Sequence, residues 1–105
     1  MKQYRVVLSP KAQTDIIAAY DWLHDENPAY AIQWRDGLQQ AIMRLNTLPF
    51  AHAIAPESAD FDREIRQMLY GPGTPWRVFY CVEEDQVSIL HVRHGRQDYW
   101  RTEQN

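Results

Sequence analysis

The chain has 105 residues, 45% hydrophobic and 24% charged, with 11 Lys and Arg against 14 Asp and Glu and a formal net charge of −3. That fits one domain over residues 1–105 with one modest core, and it excludes disordered and collagen-like chains and a strongly basic protein. The single cysteine, Cys81, cannot close an internal disulfide, and no run approaches the ~20 apolar residues of a membrane span, so a cytoplasmic home without a membrane partner is expected.

Tyr4 to Leu8 is aromatic and β-branched and reads as a short strand that stops at Ser9-Pro10. Ser9 is placed to cap a helix and Pro10 to occupy its first position, where a missing N–H costs nothing. Ala12, Ile16, Ala19, Tyr20 and Leu23 then share one helical stripe, so a first helix is predicted to about Asp25. Asn27-Pro28 breaks it and starts a second, carried by Ala31, Trp34, Leu38, Ile42, Leu45 and Leu48 until Pro49. Gly37 weakens this helix by about 1 kcal/mol relative to alanine without breaking it.

Phe50 to Asp60 has no clear period and is expected to be loop. Phe61 to Tyr70 alternates, with Ile65 and Leu69 on one face and Arg66 and Met68 on the other, and Trp76 to Val82 and Val87 to Val92 read as strands joined by the polar turn Glu83 to Gln86. The expected class is therefore α+β: an N-terminal strand, a helical hairpin, then a three-stranded antiparallel meander, with the helices packed on one sheet face.

A hairpin with Val82 and Val87 flanking the turn pairs Tyr80 with Ile89, Phe79 with Leu90 and Arg77 with Val92. Parity then puts Arg77 and His94 on one face, where a guanidinium and an imidazole suit a phosphodiester; the alternative is two ordinary solvated residues near a sheet end. His91, of opposite parity and on the side of Ile89, is expected to be packed. Six arginines (Arg63, Arg66, Arg77, Arg93, Arg96 and Arg101) are set against Glu64 and Asp98 when the turn acids Glu83 to Asp85 are left aside; they could fork onto phosphates or the carboxylates of an acidic partner, or simply keep one sheet face wet. No histidine pair has metal-ligand spacing, no glycine-rich phosphate loop occurs, and Cys81 reads as core; neither metal nor cofactor is expected. Tyr20 and Trp34 fit the apolar stripes, whereas Trp22 and Tyr30 lie off them. Tyr99 and Trp100, an aromatic pair in a charged tail, are expected to be exposed and to contact a partner.

Tyr4 to Ala12, Asp15-Ile16, Arg63 to Arg66, Trp76 to Tyr80 and Ile89 to Arg96 resemble, in order and spacing, the RelE/ParE toxin superfamily, and its ParE branch most closely. The resemblance implies a bacterial type II toxin, of the plasmid-stabilisation kind, held inactive in a hetero-oligomer by an antitoxin encoded beside it. It also implies a choice of mechanism. RelE-like members cut messenger RNA on the ribosome, and on that reading Arg77, His94 and, more loosely, Glu57 would be catalytic, while the RelE lysines have no counterpart here. ParE-like members act on DNA gyrase and need no such set. The net charge favours the second, since docking into ribosomal RNA draws its affinity from neutralising phosphates. A third reading is a non-toxic relative that only binds the antitoxin. On any of these, Arg66, Arg93, Arg96, Tyr99 and Trp100 are the expected partner-binding residues.

Overall fold

A computed structural model describes residues 2–71, 76–95 and 100. Strand β1 (Arg5–Leu8) leads into helices α1 (Pro10–Glu26) and α2 (Pro28–Met43); after two short 3-10 turns, Arg44–Asn46 and Pro56–Asp60, strands β2 (Arg66–Tyr70), β3 (Trp76–Glu83) and β4 (Gln86–His94) follow. The sheet order is β1-β4-β3-β2, with β1 parallel to β4 and the other pairs antiparallel. This is the expected α+β arrangement.

Local chemistry explains the boundaries. Ser9 Oγ accepts the Ala12 N–H at 3.0 Å and Asn27 Oδ1 accepts that of Tyr30 at 3.1 Å, so each helix starts with a side-chain cap followed by proline. The first helix ends within a residue of expectation. The second stops as an α-helix at Met43, and Leu45 keeps its buried place on the tighter turn that follows. Strand β2 begins at Arg66 rather than Phe61, because Ser58 Oγ takes the Ile65 N–H at 2.8 Å and folds the preceding segment back. Part of the expected loop then serves as a partial edge: Ala55 N–H donates to Ile65 O, Gln67 N–H donates to Ala53 O, and Ile54 bridges Arg66.

The helices cover one face of the sheet. Leu23, Ala31, Trp34, Leu38 and Ile42 meet Met68, Val78, Tyr80, Val87, Ile89 and Val92 there. Each such aliphatic or aromatic side chain contributes about 1.5–3 kcal/mol relative to exposure. The far face has its own cluster of Ala55, Ile65, Phe79, Cys81 and Trp100, with Phe61 and Leu90 packed against it. Central strand β3 is therefore buried on both sides from Val78 to Cys81.

Gly37 has a specific role in this packing. A Cβ there would lie 2.3 Å from Tyr70 Oη, which donates to Trp34 O at 2.8 Å. The bare glycine lets a tyrosine of β2 reach the backbone of α2. Among the described residues no helix is long and apolar enough to cross a membrane.

Candidate functional site

The β3–β4 pairing follows the expected register only from the turn to Tyr80 and Ile89, then shifts. Phe79 pairs with His91, Val78 with Val92, Arg77 with Arg93 and Trp76 with His94. Leu90 is the extra residue of a bulge, which moves the rest of β4 by one place relative to β3. Arg77 and His94 consequently lie on opposite faces, contrary to the parity expected without the bulge. His91 is packed as expected, but on the face of Phe79 rather than that of Ile89.

Just past Leu8, where β1 ends, helix α1 takes over the edge of β4. Ser9 Oγ donates to Leu90 O at 3.1 Å, and the Asp15 carboxylate accepts the Val92 N–H at 2.9 Å and bonds His91 Nδ1. Lys11 Nζ pairs with the other Asp15 oxygen at 3.0 Å. Burial pushes the Asp15 carboxyl up, and its bonds to His91, Val92 and Lys11 outweigh that and hold it below the ordinary carboxylate value.

On the far face the Pro56–Asp60 turn delivers Glu57, whose side chain is 0% exposed. Its two oxygens accept from Arg77 Nη1 at 2.8 Å and Nη2 at 2.6 Å, and Oε2 also accepts the Trp100 N–H at 3.1 Å. Gln67 Oε1 accepts from Arg77 Nε and Nη2 at 2.9 and 2.6 Å. The guanidinium carbon lies 4.5 Å from the Phe79 ring centroid. Burial raises the Glu57 carboxyl, but the Arg77 and main-chain bonds prevail and leave it below its usual value. A bidentate pair is what such burial requires, since a lone carboxylate there would be neutralised instead.

Trp100 fills a socket above this pair, its ring 4.8 Å from each of Phe61, Phe79 and His91. It is 4% exposed, so the expectation of an exposed terminal aromatic fails for this residue. Aromatic surface that sequence alone would leave in solvent is taken up by the second, far-face cluster. Tyr99, Arg96 and Arg101 lie outside the described residues.

The remaining candidates separate. Arg66 is on the helix side, opposite Tyr80; it donates to His52 O at 2.7 Å and Glu64 at 2.9 Å and lies 5.2 Å from the Phe50 ring, so it does not join Arg77. Arg93 and His94 border a groove of about 540 Å³ between α1 and the end of β4, lined also by Asp15, Ala18, Ala19, Trp22 and Trp76. The His94 ring meets Trp76 edge-on at 5.2 Å. Glu57 and Arg77 are thus brought together, and His94 is kept apart from both. Cys81 is buried and desolvation pushes its thiol up, as suits a core residue.

Residues 6–99 match the family described as ParE toxin of type II toxin-antitoxin system, parDE. The chain belongs to the ParE toxin family. Among solved structures that match it, a chain of the chromosomal ParDE toxin-antitoxin system from P. aeruginosa superposes with a TM-score of 0.71 at 17% identity, covering 88% of this chain and 96% of that one. That likeness shows the shared fold. No curated protein matches the chain.

Within this ParE-family chain, Asp15 and Gln67 are the site residues that residue-by-residue reading did not single out. Asp15 stood only among the residues carrying the family resemblance. Its i,i+4 spacing from Lys11 predicts a helix-surface ion pair but not its reach to a strand. Gln67 carries no signal beyond strand parity with Leu69.

Proposed function

We propose that this ParE-family toxin acts in the cytoplasm on DNA gyrase by protein contact and is neutralised by a cognate antitoxin encoded beside it. One observation carries the choice of mechanism. Glu57 and Arg77, two of the three residues a ribonuclease reading needs, satisfy each other in a buried bidentate pair, while His94 sits on the opposite face. A general acid or base must reach the reacting group, and a phosphate-binding arginine must have donors to spare. Here the carboxylate already holds three donors, and four of the guanidinium's five N–H groups go to Glu57 and Gln67.

A protein-directed toxin needs no such set and no net positive charge. The antitoxin is the natural counterpart of Arg93, and an acidic segment would complement it, whereas Arg66 already gives donors to Glu64 and His52 O. Trp100, being buried, would contribute through the far-face cluster rather than by direct contact.

The experiment is a gyrase supercoiling and cleavage assay with purified toxin, alongside primer extension on translated messages. The proposal expects loss of supercoiling or accumulation of cleaved DNA, reversed by the antitoxin, and unchanged messages. Intact gyrase activity together with new message cleavage would overturn it.

A further inference from the structure

Strand β1 lies at one edge of the sheet, and its parallel register with β4 divides its main-chain groups into two sets. Arg5 and Ser9 donate to Asp85 O and Ile89 O at 2.8 and 2.9 Å, so they and Val7 face β4, whereas Tyr4, Val6 and Leu8 face outward. Of the outward groups, Tyr4 N–H donates to Asn46 O at 2.7 Å, and Leu8 O accepts from Gln13 Nε2 at 3.2 Å. Val6 N–H, Val6 O and Leu8 N–H have no partner among the described residues. Elsewhere the chain meets its own edges: Ala53 and Ala55 serve the start of β2, and Ser9 and Asp15 serve β4 past Leu8.

Beside the open stretch lies a groove of about 260 Å³, walled by Val6 and Leu8 of β1, Ile16 of α1, and Leu38, Ile42 and Met43 of α2. Arg35 and Gln39 complete its lining, and Arg35 is the charged member. Asp36 approaches Arg35 at Nε, 3.6 Å away, so both Nη groups keep N–H donors to give. Alternate residues of an extended chain laid along Val6 and Leu8 would point into this groove.

We infer that the outer edge of β1 is a strand-addition site for an extended segment of the antitoxin, with aliphatic residues at alternate positions and a carboxylate on the same face for Arg35. The inference rests on the reading that an antitoxin neutralises the chain. Two observations select this occupant: unpaired main-chain groups call for another backbone rather than a small ligand, and the cation calls for an acid. A second copy pairing through its own β1 brings no acid, since residues 1–14 hold Lys2, Arg5 and Lys11 and neither Asp nor Glu.

The test is hydrogen exchange on the full chain, free and in complex with the antitoxin. In the free chain the Val6 and Leu8 amides should exchange at least tenfold faster than that of Val7, and in the complex both should slow at least tenfold. Val6→Pro removes one outward donor at an edge position that tolerates proline; it should shift the melting temperature by no more than about 4 °C yet weaken antitoxin binding about tenfold. Arg35→Gln should weaken it about threefold. The exchange measurement does not depend on either variant folding. An antitoxin that binds while both amides stay fast would overturn this inference alone, and one that does not bind would overturn the wider reading as well. Amides already slow in a free dimer, and released on dilution, would give the edge to a second copy and overturn the inference too.

Discussion

The carboxylate of Asp15 on α1 accepts the main-chain N–H of Val92 on β4 at 2.9 Å, beyond the last β1 residue. A helix side chain thus does the work of a missing strand residue. Asp15→Ala should destabilise the fold by about 2–4 kcal/mol, since it leaves a strand N–H and the His91 ring without their acceptor in a buried place. Asp15→Asn keeps one acceptor and should lose less. Urea denaturation of both variants measures the difference.

The same carboxylate and that of Glu57 make stability depend on pH. Both are held below their ordinary values of 3.8 and 4.5, so the unfolded chain takes up their protons first as pH falls. Their contribution is fully present above about pH 5 and is lost as pH drops through and below those ordinary values toward the native ones. Denaturant midpoints measured from pH 7 down to pH 3 should decline mainly in the lower part of that range, and less steeply in Asp15→Asn.

Arg77→Met should cost about 3–5 kcal/mol, because it strands a buried carboxylate. Glu57→Leu added to it should restore most of that loss, as apolar replacements of buried pairs often do. A catalytic pair would behave differently, with stability kept and activity gone. Thermal melts of the single and double variants, scored beside growth inhibition, separate the two.

Gly37→Ala should be destabilising by about 1–2 kcal/mol despite alanine's better helix propensity, since the new methyl displaces Tyr70 and breaks its bond to Trp34 O. In a Tyr70→Phe background the obstructing oxygen is gone, and the same change should become neutral or stabilising. A double-mutant cycle shows this as a change of sign.

Ser9→Ala should cost about 1–2 kcal/mol, at the upper end for a helix cap, because the hydroxyl also satisfies Leu90 O. Replacement by aspartate would keep the cap but set a carboxylate against that carbonyl. Ser9→Asp should therefore fail to restore full stability, in contrast to an ordinary exposed cap.

Most of the fold was legible because its signals are local and agree with one another. The caps at Ser9 and Asn27, the prolines after them and the helical stripes specify the hairpin, and Val82 and Val87 bracket the final turn. What escaped depends on relations that no window of residues contains. One extra residue at Leu90 reverses the face of every side chain after it, and a bulge of this kind leaves no composition signal. Glu57 and Arg77 were each singled out for chemistry, but only the packed structure shows that they satisfy each other. Trp100 looked exposed because the cluster that covers it draws on Phe61, Phe79 and His91, which lie far apart in the chain.

The parallel pairing of β1 with β4 also bears on timing. Arg5 stands beside Gln86, made 81 positions later, and the intervening chain takes roughly 4–16 s to synthesise. Throughout that interval the first strand has no partner, and the hairpin has no β3 or β4 on which to bury its apolar stripe. The sheet is completed only once β4 itself has left the ribosome. The fold shared with the toxin family therefore cannot exist before β4 has been made, 81 positions after the strand it pairs with.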